Sequence, residues 1–186
     1  QPIIGTQIKF KVGETTGLLP LFALNENGYK NIIALSSASY LQNDELSDPH
    51  VEFSNLLSRS KGVAVFSGTV FGLFGQLFDK GKFTEIHNLY TEIKSIFGDR
   101  FYIEIQRHND QNEISFEKFN LNKSLDLKIP IIATNEVFYL NKDMHEAHDA
   151  LICIGNKTYV NEKNRIRFSD QHYFKNNSEM SELFAD

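Results

Sequence analysis

Apolar positions along the chain fall into alternating strand-like and helix-like runs. Residues 3–10 read as a strand, and 19–24 as a short apolar run. Tyr29, Ile32, Ile33 and Ser36 recur at helical spacing, so Asn27 is expected to cap a helix over 27–40. Asp48-Pro49 predicts a cap and first-turn proline for a helix over 48–60, closed by Gly62. Residues 63–67 read as a buried strand entering a glycine-rich turn. Phe83, Ile86, Leu89, Tyr90, Ile93, Ile96 and Phe97 form one helix face that stops at Gly98. Phe101, Ile103 and Ile105 alternate with polar residues, as in a half-buried strand. A helix over 113–127 leads to a buried strand over 129–133. Then come a helix over 143–154, a short strand over 165–168 and a last helix from Ser178. Repeated strand–helix units predict an α/β fold with a mainly parallel sheet or barrel.

Composition narrows the class. The chain has 186 residues, 41% hydrophobic and 23% charged, which suits one soluble globular domain. No apolar run is long enough to span a membrane. Net charge is −5 with no basic block, which argues against this segment being a main nucleic-acid grip. The single cysteine, Cys153, lies in the apolar run ALICIG and is expected to be a buried thiol of a cytoplasmic protein. The first residue, Gln1, stands directly before a strand-like pattern, so the segment reads as cut from a longer chain.

Candidate chemistry is sparse. SGTVFGLFG (67–75) fits neither dinucleotide-binding nor P-loop spacing, and reads as a tight strand-to-helix turn whose glycines permit close packing. His145 and His148 share a helix face near Asp143 and Asp149. H-E-A-H lacks the i, i+4 spacing of a zinc-protease helix, so they read as a solvated face. His108, beside Asn109 and Asp110, reads as a surface turn residue. His50, His87 and His172 have no visible partner in the sequence. In IPIIATNEVFYL (129–140), a buried strand runs into Thr134-Asn135-Glu136, a place where α/β enzymes hold ligands. Two residues further on stands Phe138, whose ring has no acid–base or metal chemistry.

Several strings, taken in order, resemble one family: PIIG at the start, ALNENGYKNIIALSSASY (23–40), SGTVFGLFGQLF (67–78), FGDRFYIEIQRH (97–108), IPIIATNEVFYL (129–140), AHDALICIG (147–155) and SEMSELFAD (178–186). They resemble the polymerase-and-histidinol-phosphatase (PHP) domain at the N-terminus of the alpha subunit of bacterial DNA polymerase III, the C-family replicase. The resemblance covers essentially the whole chain as one PHP domain fragment, 1–186. It implies a distorted, TIM-like barrel of seven strands, here lacking its first strands, with residues 2–10 left as an exposed edge.

Active members of that family hold a cluster of up to three metal ions on nine ligands and hydrolyse phosphoesters, including 3′–5′ exonuclease proofreading. Four ligands belong to an opening segment that would precede Gln1. The other five fall, by the resemblance, on Gln7, Leu18, Thr69, Glu136 and Phe138. Only Glu136 keeps a metal-binding carboxylate, and a multi-metal site needs several carboxylate and imidazole ligands. The resemblance therefore implies a segment with no catalytic residue and no bound metal or cofactor. Magnesium would belong to the polymerase site elsewhere in the parent chain. Expected partners are the epsilon proofreading exonuclease, other alpha-subunit domains, the replisome and, through the parent chain, DNA, with no membrane. The competing readings are a metal-dependent phosphoesterase with a rearranged site using Glu136, His108, His145 and His148, and an unrelated α/β binding domain.

Overall fold

A computed structural model describes residues 2–43 and 47–186; Gln1, on which the reading of the chain start rests, lies outside the described residues. β1 (Gly5–Val12) and β2 (Thr15–Ala23) form an antiparallel hairpin in which Val12 faces Thr15 across a two-residue turn. β2 starts ahead of the expected apolar run because Thr15 and Gly17 also face the core. The full sheet runs β3–β1–β2–β4–β5–β6, with β3 (Val51–Glu52), β4 (Val63–Phe66), β5 (Phe101–Ile105) and β6 (Ile131–Ala133). β1 pairs with β3, and β4 with β5, in parallel. β2 is antiparallel to both β1 and β4. The sheet is thus mixed rather than mainly parallel. The loop after Val12 is too short for the crossover that parallel neighbours require. With seven α-helices among the described residues, this α/β arrangement is consistent with part of a TIM-like PHP barrel.

Two compact units divide the chain, Gln1–Ile105 with Lys118–Ile132, and Gln106–Glu117 with Ala133–Asp186. In the first unit, Phe10, Leu19, Leu21, Val65 and Phe101 are fully buried strand residues. Helices α1 (Glu26–Leu41), α2 (Phe53–Ser58), α3 (Leu73–Asp79) and α4 (Phe83–Phe97) belong to the same unit. Asn25, not Asn27, caps α1, its Oδ1 accepting the Gly28 N–H at 3.1 Å. The helix expected over 48–60 shortens to α2, since Val51 and Glu52 pair with Phe10 and Lys11 instead. That pairing covers only the end of β1, so the expected open edge is partly closed. α4 buries Ile86, Tyr90, Ile93 and Phe97, the face its periodicity predicts. The Tyr90 ring meets Phe74 and Phe101 edge-on, and its hydroxyl donates to Asn120 Oδ1 at 3.0 Å. Burial pushes that phenol well above its ordinary pKa, so it remains a donor.

Two glycines are dictated by close approach. A Cβ on Gly28 would fall 1.8 Å from the Gly62 carbonyl oxygen, and one on Gly75 would fall 1.9 Å from that of Val70. The second contact supports reading SGTVFGLFG as a packing turn.

α5 (Glu113–Leu127) starts in the second unit and ends in the first. The second unit also holds α6 (His145–Asn156) and α7 (Asn177–Leu183), the latter with a capping box between Asn176 and Glu179. Residues 165–168 are not a strand. Arg165 instead forks onto the buried carboxylate of Asp149, with one Nη2–Oδ2 contact of 2.7 Å, and Tyr139 bridges Tyr173. The guanidinium holds the Asp149 carboxyl below its ordinary pKa. Cys153 is buried, as its sequence context predicts.

Candidate functional site

Three of the five positions expected from the resemblance, Gln7, Leu18 and Thr69, lie in the first unit. Gln7 faces Pro20 across the hairpin, and Leu18 is two residues before Pro20, so Gln7 and Leu18 share one face of the sheet. That face is opposite to the buried Ile8, Phe10, Leu19 and Leu21. The turn after β4 approaches the same place: a Cβ on Gly72 would meet the Leu18 carbonyl oxygen at 3.0 Å. Thr69, in this turn, uses its hydroxyl to accept the Phe71 N–H at 3.2 Å. None of the three side chains carries a charge. Leu18 is 37% exposed, so it does not fill a sealed space.

The other two positions lie in the second unit, in the loop after β6. Phe138 stacks on His172 with centroids 4.7 Å apart and planes at 21°, and on His148 at 5.2 Å and 10°. The His172 ring in turn stacks on His108 at 4.1 Å and 4°. The four rings therefore form a column, His108, His172, Phe138, His148. Phe138 is 37% exposed, a sandwiched ring rather than a core one. Glu136 is half-buried; its carbonyl oxygen lies 3.3 Å from His172 Nδ1 and its carboxylate 3.9 Å from the same nitrogen.

His108 is not a surface turn residue: it is 1% exposed. Its Nε2 lies 3.0 Å from Asn135 Oδ1 and 3.3 Å from the Glu136 amide nitrogen. Asn135 is fixed in turn, donating to the Tyr173 carbonyl at 2.8 Å and accepting from Lys175 at 3.1 Å. The loop that carries His108 is shaped by Glu113, whose carboxylate accepts the backbone N–H of His108 at 2.8 Å and of Asn109 at 2.9 Å. Successive amides converging on one carboxylate form an anion nest, here filled by the protein's own side chain. Arg107 anchors the loop from behind, bonding Glu117 at 2.6 Å and the Leu183 carbonyl at 2.6 Å.

The solvated-face reading of His145 and His148 does not hold either. His145 Nε2 lies 3.0 Å from the Phe168 carbonyl oxygen, and His148 packs among the rings of Phe138, Tyr139 and Phe168. Burial, then the neighbouring His145 and His172, hold the His148 imidazole below its ordinary pKa. Among the described residues, one group of three His, Cys, Asp or Glu side chains brings its donor atoms within 4.8 Å of one another: His108, Asp110 and His172. His145 and His148 do not join it. Sequence reasoning missed this group because His172 stands 62 residues from Asp110, with no local motif to connect them.

The six-stranded α/β sheet is consistent with part of a PHP barrel, and comparison with known proteins shows the family. The chain belongs to the PHP domain family, which matches residues 1–108. Over its full length it is similar to the DNA polymerase III subunit alpha of Caulobacter vibrioides (strain NA1000 / CB15N), with 38% identity covering 100% of this chain and 17% of that protein. It is also similar to the proteins of that name from Rickettsia bellii (strain RML369-C), at 36% identity, and from Vibrio cholerae serotype O1, at 30%, each covered over 16% of its length. The chain thus spans about one-sixth of the length of the curated relatives it matches. No helix among the described residues is long and apolar enough to cross a membrane.

Proposed function

We propose that this chain is the PHP domain of a bacterial replicative polymerase alpha subunit, that it has no hydrolytic site of its own, and that it docks the epsilon proofreading exonuclease. The whole protein would be a DNA-directed DNA polymerase, with its magnesium chemistry outside these residues. The observation that carries this reading is the stacked ring of Phe138: a position that would supply a metal ligand in active relatives supplies a hydrocarbon packed between two imidazoles. Gln7 and Leu18, which share one sheet face, and Thr69, in the turn after β4, add no charged ligand. A hard or borderline dication gains little from a neutral amide or hydroxyl.

A domain that keeps its buried sheet and helices while lacking the hydrolytic ligands is suited to holding a partner. Tethering an exonuclease beside the primer end raises its effective concentration there, so a modest contact suffices. The test is titration of epsilon against the full-length alpha chain with and without its PHP domain. Weaker binding after deletion supports docking; equal affinity removes it and leaves a scaffolding role within alpha. The rearranged phosphoesterase reading, with Glu136, His108, His145 and His148, loses two of its four residues: His145 faces the Phe168 carbonyl, and neither His145 nor His148 joins the group of converging donor atoms.

A further inference from the structure

We propose that His108, Asp110 and His172 form a three-ligand site for one divalent transition ion of the zinc class, separate from the family's cluster positions. None of the three coincides with Gln7, Leu18, Thr69, Glu136 or Phe138, and the docking reading is not needed for it. It runs against the sequence-based expectation of a metal-free segment.

The decisive group is His172, which is 0% exposed. Its Nδ1 lies 3.3 Å from the Glu136 carbonyl oxygen, an atom that can only accept. The neutral ring that donates there carries its lone pair on Nε2. That Nε2 makes no hydrogen bond among the described residues, although it lies 3.4 Å from Asp110 Oδ2. A buried lone pair facing a carboxylate oxygen is repulsive unless something positive sits between them. The spacing fits an ion: tetrahedral zinc with bonds of about 2.0–2.1 Å sets neighbouring ligand atoms about 3.3 Å apart. A ring nitrogen of His108 lies within 4.8 Å of the other two donor atoms. His108 Nε2 faces Asn135 and the Glu136 amide, and Nδ1 lies 3.5 Å from Glu113 Oε1, so ligation exchanges one of these contacts for the ion.

The surroundings are those of a ligand shell. Metal-bound imidazoles use their other nitrogen on a carbonyl or carboxylate, as His172 does on Glu136. The Glu113 nest and the Arg107 anchor fix the backbone between His108 and Asp110. Two imidazoles and one carboxylate favour zinc over magnesium or calcium, which prefer all-oxygen shells. The parallel stack of His108 on His172 directs their in-plane lone pairs side by side rather than toward one point. Loading the ion therefore tilts one ring, and binding is weaker than in a preformed cysteine cage.

A proton on His172 is the competing occupant, and the experiment separates the two. The full-length protein carrying this chain is equilibrated with Zn²⁺, desalted and assayed for metal, alongside Asp110→Asn, His172→Gln and His172→Cys. The wild type is expected to hold about one more zinc per chain than Asp110→Asn or His172→Gln. His172→Cys keeps a ligand, so it retains the ion and, loaded with Co²⁺, shows thiolate charge-transfer absorption. That rescue excludes simple misfolding as the cause of loss. Equal zinc in the wild type, Asp110→Asn and His172→Gln would overturn the site, as would a Co²⁺-loaded His172→Cys protein without the thiolate band.

Discussion

Phe138 lies face to face with His172, ring centroids 4.7 Å apart. The family resemblance implies a metal-binding imidazole at this position in active members; the structure has a phenyl ring stacked on an imidazole. The ring is partly open to solvent, so its removal should cost less than that of an enclosed phenylalanine. Phe138→Ala is expected to lose about 1–3 kcal/mol, below the upper range for buried aromatic truncation. Urea denaturation measures this; a loss above that range would mean that the column is the centre of a core.

Reversing the two positions in the second unit, Glu136→Asp with Phe138→His, is expected to give no phosphoester hydrolysis. Gln7, Leu18 and Thr69 would still offer no charged ligand, and a multi-metal hydrolase depends on several. Manganese-dependent release of nitrophenol from a phosphodiester by the double variant would contradict the assignment of those positions.

Acidification should lower stability in two steps. The His148 imidazole is held below its ordinary value of 6.5 by burial, so the unfolded chain takes up its proton first. Its contribution is complete above that pH and is lost as pH falls through the lower, folded value. Asp149 is held below its ordinary 3.8 by Arg165, so a second loss begins near that pH and continues below it. Melting temperature against pH should show both, and His148→Gln should flatten only the first. An unchanged first step in His148→Gln would assign it to another group.

Gly28→Ala should be strongly destabilising, by about 1–3 kcal/mol or more, because its Cβ would overlap the Gly62 carbonyl, which is backbone and has little room to yield. Ser37→Ala, on an exposed position of the same helix, is the control. Equal melting temperatures for the two variants would show that the two segments separate easily.

Periodicity made α4 and the strand over Val63–Phe66 legible, because Ile86, Tyr90 and Ile93, and Val63 and Val65, are buried as their spacing predicts. It overstated the buried strand over 129–133, which shortens to β6, where Ile131 is 42% exposed and only Ile129 of the run is buried. It failed at β2, where Thr15 and Gly17 are too small to register as apolar yet face inward. It failed again at Val51 and Glu52, whose strand character comes only from pairing with Phe10 and Lys11. The family itself was legible from motif resemblance. His108, Asp110 and His172 were not, since their proximity is created by folding between distant stretches. Asp149 likewise reads as a surface acid until Arg165 is seen closing on it.

The interrupted path of the chain bears on how the domain can be cut. The family match ends at residue 108, but the first unit continues with Lys118–Ile132. That return stretch brings Asn120 to the Tyr90 hydroxyl and the Pro130 carbonyl to the Ile103 amide. A clone trimmed to the matched residues would strip a sealed phenol and a strand amide of their acceptors. The boundary visible to sequence comparison is therefore not a safe place for scissors, genetic or proteolytic.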